Sequence, residues 1–407
     1  MPMAFFYVDG QLKVGTPESY LDVETLARSA EGPAYIYDLD SVERRISAFK
    51  EAFKGTTNSI HYAMKANNHR EILRCLLKHG AGVDTVSGGE IRLAVAAGIP
   101  PERIVFSGVA KTRSEIELAL GLQIKQINVE SPQELERIGT IASEMKRVAD
   151  VAFRLNPDVN PKTHPYITTG FRENKFGMDE SFLPELVSIL SRFEKNLRLR
   201  GLTIHIGSLL FDIDVFREAI EKTIKVHRKL EGMGFQLDRL DIGGGLGIRY
   251  ETDDESEEFE LIRNYGAMVL EVTRDLKAEI LTEPGRIIVG RAGILVGEVQ
   301  YVKSSPAKSF VILNTGMHHF LRPALYGAKH RILPVRSKNG EKLTYDIVGP
   351  ICESSDFLGK DVELSFVNQG DLIAVADAGA YGYTMASRYN AHELPREIVV
   401  QSGTVIA

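Results

Sequence analysis

Between residues 34 and 286 the chain alternates eight times between a short β-rich run and a longer stretch of helical pattern. Few architectures accept that alternation, because a helix between successive strands returns the chain to the same edge and makes the strands parallel. The β-rich runs fall at 59–64, 82–86, 103–107, 126–129, 151–155, 201–206, 239–242 and 279–282. Helix signals lie between them. The stretch 70–79 closes at Gly80, and 90–97 closes at Gly98 with Pro100 beyond. Ser131-Pro132-Gln133-Glu134 reads as a capping box with proline in the first turn. The stretches 213–231 and 257–277 are longer and amphipathic. Eight β/α units in ~250 residues predict a closed (β/α)8 barrel. An open doubly wound sheet would use fewer strands and an early glycine-rich turn, and none follows the first run here.

After residue 286 the texture changes to short β-rich runs at 294–302, 310–313, 331–335, 346–348, 372–376 and 397–400, separated by Gly, Pro, Asn and Asp. Ahead of the barrel, residues 5–8 and 11–14 flank Asp9-Gly10, a strong hairpin signal. A lone hairpin needs a sheet to pack on. The expected organisation is therefore α/β plus β. A TIM-like barrel spans 34–286, and an antiparallel β domain is formed by 1–33 and 287–407. Net charge is −6, which gives no reason to expect nucleic acid or an anionic membrane as partner. No apolar run approaches the ~20 residues of a membrane span. The first residues carry no basic, signal-like segment, and two cysteines are too few for a disulfide framework. A cytoplasmic protein is expected.

In such a barrel the chemistry lies at the C-terminal ends of the strands. The first run, SIHYAMKAN, delivers Lys65 there and then breaks at Ala66-Asn67-Asn68. A lysine tucked into that mouth loses solvation, and its amine becomes a nucleophile towards an aldehyde. Ser87-Gly88-Gly89-Glu90, Glu130-Ser131, Arg154, Asn156, His205 and Ser208 follow at later strand ends. Gly243, Gly244 and Gly245 follow the seventh run, and Glu283-Pro284-Gly285-Arg286 the eighth. The bare amides of the three glycines suit a phosphate, although a tight turn needing positive φ would use the same residues. Glu283 could hold a proton on a pyridine nitrogen or pair with Arg286. His205 could be a satisfied core residue or a flat ring against a cofactor. With Lys65 these groups supply what pyridoxal 5'-phosphate requires: an amine, a pyridinium partner, a phosphate cradle and a stacking ring.

The motifs HYAMKAN, GVDTVSGGE, HIGS, DIGGGLG and EPGR stand in this order and spacing. The chain thereby resembles the barrel-type pyridoxal-phosphate amino-acid decarboxylases, which share their fold with alanine racemase. HPYITTG and ENKFG (164–177), RPALYGAKH (322–330), CESSD (352–356) and GAYGYTMASRYN (379–390) narrow the resemblance to the diaminopimelate decarboxylases. It spans nearly the whole chain. The resemblance implies decarboxylation of meso-2,6-diaminopimelate to L-lysine and CO2, the last step of lysine biosynthesis. It implies Lys65 as the Schiff-base amine and His205 stacked on the cofactor. Ser208, Gly243, Gly244, Gly245, Gly285, Arg286 and Tyr381 would serve as further cofactor contacts, and Glu283 would meet the pyridinium. Arg286, Arg322, Tyr326, Glu353 and Tyr381 would line the substrate pocket. Cys352 would be the proton donor, reaching in from the second subunit of a homodimer with shared sites. No metal is expected.

Two positions depart from the family pattern. Leu209 stands where Gln is usual after HIGS, and His318-His319 where Asn-Asp is usual. Both bear on the outer shell of the pocket. On the residues alone Cys352 could also be a small buried hydrophobe. The rival reading is a decarboxylase of ornithine, arginine or carboxynorspermidine, whose substrates carry no distal carboxylate to engage Arg322. A non-catalytic cofactor-binding relative would be expected to lack the lysine or the thiol, and this chain has both.

Overall fold

The computed structural model describes residues 3–159 and 176–407. The motif HPYITTG, and ENKFG up to Lys175, lie outside the described residues. The chain divides into two compact units. One comprises Ile46–Gly247 and Phe259–Gly285; the other comprises Met1–Arg45, Ile248–Glu258 and Arg286–Ala407.

The first unit is the barrel. Its eight strands are Asn58–Ala63, Gly82–Thr85, Ile104–Phe106, Gln126–Val129, Ala149–Leu155, Leu197–Ile204, Arg239–Asp241 and Glu279–Thr282. All neighbours pair in parallel, and the last closes on the first through Ile280↔Asn58 and Thr282↔Ile60. All eight expected runs are strands. The helices obey the end signals. Gly88–Ala97 ends at Gly98 in the left-handed conformation, and Ser131 accepts the Glu134 amide at the start of Pro132–Glu144. The reciprocal half of the expected capping box is absent, because the Glu134 carboxylate takes the Glu130 amide and Lys111 Nζ instead. A full box forms at Thr112 and Glu115, opening Arg113–Leu122. Outside the strands, Tyr265 of the helix Ser256–Thr273 lies among Phe49, Phe53 and Phe216, with ring centroids 6.4, 5.9 and 5.0 Å away. Burying four such rings holds the helical layer through apolar area and edge-on contacts.

The second unit is built on the twelve-residue strand Gly293–Ser304. It pairs antiparallel with Ala34–Asp38, Leu372–Val375 and Ser309–Leu313 within a nine-stranded sheet. The sheet is mixed rather than purely antiparallel. Ser309–Leu313 runs parallel to Lys342–Val348, and Ala34–Asp38 parallel to Arg396–Gln401. The strand Ala34–Asp38, inside the span read as barrel, thus runs in this sheet. The N-terminal hairpin, Phe5–Val8 with Gln11–Thr16, acquires a third strand, Ser19–Asp22. Its Leu12 and Val14 enter one core with Ile36, Ile294, Val296, Ala374 and Val400, and the Leu12 amide donates to the Val335 carbonyl at 2.9 Å. Among the described residues no helix is long and apolar enough to cross a membrane.

Candidate active site

In the barrel unit, Lys65 sits in the single turn Met64–Ala66 that ends the first strand. Its Nζ lies 3.6 Å from Asp84 Oδ2, and its side chain is 35% exposed. The sequence suggested a lysine tucked away from solvent. The structure instead gives one open to the barrel mouth and steered by a buried carboxylate. Gly285 backs this turn, since a Cβ there would stand 3.1 Å from Ala63 Cβ and 3.2 Å from Ala66 Cβ.

Beside Lys65 at the barrel mouth, Glu283, Asp241 and Asp84 form a buried acidic cluster. Burial pushes the Glu283 carboxyl well up, Asp241 and Asp84 push it further, and Lys65 opposes them. Burial likewise raises Asp241 to about 6. Asp241 and Glu283 share a hydrogen bond, and the proton resides on Glu283. Asp241 also accepts the Gly243 amide at 3.0 Å. A polar chain backs Glu283: Gln126 Nε2 donates to Asn128 Oδ1 (2.8 Å), Asn128 Nδ2 to Ser107 Oγ (2.9 Å), and Ser107 Oγ to Glu283 Oε1 (3.4 Å). Asp84 and Asp241 escaped the sequence reading. Their signal was a carboxylate inside an otherwise apolar strand, as in GVDTV and RLDIG, which burial tolerates only for a partner.

The three glycines are shaped by backbone demands. Gly243 and Gly245 have φ of 67° and 123°, and a side chain on Gly244 would run into the Glu283 carbonyl. The turn itself therefore requires these glycines, and two of its amides already have partners within the barrel. One of those amides, on Gly244, donates to His205 Nδ1 at 3.4 Å. His205 Nε2 then carries the hydrogen. Lost solvent, then the charges of Lys65 and Arg154, hold this imidazole well below its usual range, so it is a flat neutral ring. Ser208 lies in the loop after the sixth strand. That loop is tied to the glycine turn by Leu210 N–H to Gly245 O (3.0 Å) and Gly247 N–H to Leu210 O (2.9 Å). Leu209, between them, holds φ at 60°. Arg154 pairs with Glu130, whose other oxygen accepts the Gly177 amide at 2.7 Å, so these two strand-end charges satisfy each other.

These features fit pyridoxal phosphate on physical grounds. Three buried acids beside one lysine favour positive charge at this spot, which a protonated ring nitrogen would bring. The glycine turn carries no side chains, so a phosphate could approach its backbone closely.

In the second unit, Arg286, Arg322, Tyr250, Tyr326 and Tyr381 form a cluster. Arg286 Nη1 donates to Tyr250 Oη at 2.6 Å, and its guanidinium lies 4.7 Å from the Tyr381 ring centroid. Tyr381 is held at φ 57°, a strained conformation for an aromatic residue and one that fixes where its ring points. Arg322 begins the short helix Arg322–Tyr326 and lies 5.0 Å from the Tyr250 ring. Its Nε donates to His330 Nε2 at 3.3 Å. Arg322 is 2% exposed, and among the described residues no carboxylate pairs with it. Burial and the nearby Arg286 charge both pull its pKa down.

Cys352 and Glu353 are exposed. Glu353 accepts from Tyr389 Oη at 2.7 Å, and among the described residues no hydrogen bond or ion pair joins it to Arg322. Their loop is pinned by Asp356, which accepts the Met317 amide at 2.6 Å and the Ile351 amide at 2.7 Å. The unusual His318-His319 pair follows Met317. His319 is tied to Thr315 Oγ1 and the Glu393 carbonyl, and burial pushes His318, whose tilted ring lies with its centroid 3.6 Å away, down to about 3.

Residues 39–290 match the family model of the pyridoxal-dependent decarboxylases, pyridoxal binding domain. The chain is 42% identical to diaminopimelate decarboxylase of Aquifex aeolicus over 98% of its own length and 93% of that protein's. It is similar in fold to the Helicobacter pylori diaminopimelate decarboxylase complexed with L-lysine, with a TM-score of 0.87, 41% identity and coverage of 95% and 96% of the two chains. The M. jannaschii enzyme in co-complex with L-lysine gives a TM-score of 0.89 at 36% identity, covering 99% of this chain and 94% of that one.

Proposed function

The chain belongs to the pyridoxal-dependent decarboxylases and, within them, to the diaminopimelate decarboxylases, and on that premise we propose how its residues divide the work. The enzyme is a carboxy-lyase that converts meso-2,6-diaminopimelate to L-lysine and CO2, the last step of lysine biosynthesis. The glycine turn of Gly243, Gly244 and Gly245, with Ser208, Gly285 and Arg286, would hold the phosphate end of pyridoxal 5'-phosphate. Glu283 would meet the ring nitrogen, His205 would cover a ring face, Tyr381 would be a further contact, and Lys65 would anchor the cofactor through Nζ. When bound, the cofactor supplies the electron sink that decarboxylation needs.

The remaining work belongs to the chain. The proton that Glu283 carries beside Asp241 can pass to the ring nitrogen, and Glu283, then a carboxylate, would hold it there. Asp84 steers the Lys65 amine. Arg322, with Arg286, Tyr326 and Tyr381, receives the distal carboxylate of the substrate, and Glu353 its distal ammonium. Cys352 Sγ gives up the proton that replaces the lost carboxylate, delivered with Glu353 from a second copy of the chain. Exposure of both residues in the protomer supports that assignment.

The observation that carries the choice of substrate is Arg322, a buried guanidinium beside a second one and without a carboxylate among the described residues. Such a group is a receptor for an anion, and it penalises a substrate that ends in an ammonium alone. The test is kcat/KM for meso-diaminopimelate and for ornithine, in wild type and Arg322→Ala. The wild type prefers meso-diaminopimelate. The variant loses roughly 30- to 1,000-fold on it, the equivalent of about 2–4 kcal/mol. Ornithine changes little, because it never used the contact. Equal losses on both substrates, or a wild-type preference for ornithine, would defeat this reading.

A further inference from the structure

The residue that holds Arg322 is a histidine rather than an acid. Arg322 Nε donates to His330 Nε2 at 3.3 Å, and on the far side of the ring His330 Nδ1 lies 2.9 Å from the Ala376 carbonyl oxygen. A carbonyl only accepts, so Nδ1 bears the hydrogen and Nε2 offers a lone pair to the arginine. The ring cannot swing away. Tyr250 lies against it with centroids 4.4 Å apart, Phe320 meets it edge-on at 4.7 Å, and the whole side chain is buried. Burial, followed by the charges of Arg322, Arg286 and Arg331, holds His330 well below the usual histidine range, which agrees with this tautomer.

The choice of a neutral acceptor has a consequence. An aspartate or glutamate at this place would orient Arg322 equally well, but it would also neutralise it and compete with any incoming carboxylate. An imidazole fixes the guanidinium plane through Nε and leaves both Nη groups, and the full charge, for a ligand. We propose that His330 is the positioning residue that sets Arg322 for the distal carboxylate and thereby sharpens the enzyme's choice of substrate. The inference rests on the assignment of Arg322 above.

Steady-state kinetics of the holoenzyme with meso-diaminopimelate and ornithine decide it, using wild type, His330→Asn, Arg322→Ala and the double variant. Asparagine can still donate to the Ala376 carbonyl but falls short of Arg322. His330→Asn raises KM for meso-diaminopimelate roughly 10- to 100-fold. It leaves kcat within about threefold and ornithine turnover unchanged, because the contact binds substrate and transition state alike. The double variant is no worse than Arg322→Ala alone, because His330 acts only through the arginine. Losses that multiply in the double variant, or that fall equally on both substrates, overturn the proposal. His330→Leu carries the same comparison should His330→Asn not fold. If Arg322→Ala separates the substrates and the His330 variants do not, only the role of His330 falls. If Arg322→Ala fails to separate them, the substrate assignment falls first and this inference with it.

Discussion

The chemistry of the barrel mouth turns on where a few protons sit. Asp241 has a carboxyl raised from 3.8 to about 6, chiefly by burial, and Glu283 is raised further by the same cause and by its acidic neighbours. An acid whose folded pKa is raised contributes its stability fully below about pH 4, and that contribution is lost as pH climbs through the folded value. Cofactor-free enzyme therefore loses thermal stability between about pH 4 and about pH 6 from Asp241. Asp241→Asn keeps an acceptor for the Gly243 amide and removes the charge, so the fall in midpoint over that interval shrinks by roughly 2–6 °C. Thermal unfolding of the cofactor-free variant at the two pH values checks this; an unchanged or steeper fall would show the cluster to be fully ionised at no cost. The strand-end positions of Lys65, His205, the three glycines and Glu283 were legible because the alternation of patterns marks where each barrel strand stops. Asp84 and Asp241 were not, since a strand pattern reads a single carboxylate as a polar interruption. His330 stood in a quoted motif without a role, because nothing in RPALYGAKH says that its ring meets Arg322.

At the level of elements, the alternation of strand and helix patterns was enough to place all eight barrel strands within a few residues. The later sheet was harder. Phe357–Ser365 lies outside the expected runs; through Gly359, Lys360 and Asp361 the chain stays in the sheet across a register irregularity opposite Ile347, with Asp361 at φ 52°. Strand direction was equally hidden, since parallel pairing of Ala34–Asp38 with Arg396–Gln401 joins segments from opposite ends of the chain. One element bears directly on the proposed catalysis. The loop that presents Cys352 and Glu353 has its register set by Asp356, packed against Gly316 and Gly349, where any side chain would strike the carboxylate. Asp356→Ala frees both amides and lets the loop wander, which lowers kcat/KM by roughly tenfold or more while cofactor uptake persists. A folded variant with wild-type kcat/KM would show that the loop is ordered by other means.

At the scale of the molecule, the proposed division of labour gives Lys65 and Cys352 indispensable and separable tasks: one anchors the cofactor, the other returns a proton. It also draws them from different copies of the chain. A symmetric dimer places two such sites across its two-fold axis, each using one residue from each protomer. Lys65→Ala folds and takes up cofactor without the yellow absorbance of the lysine-bound form, and Cys352→Ala retains that absorbance; each alone is nearly inactive on meso-diaminopimelate. The most direct test mixes the two inactive proteins in equal amounts, lets subunits exchange, and measures CO2 release from meso-diaminopimelate. Half the dimers are then mixed, each with one intact site and one lacking both groups, so activity returns to about a quarter of the wild-type level. No recovery after demonstrated exchange would contradict the shared site, and appreciable turnover by Lys65→Ala alone would contradict the role of the lysine.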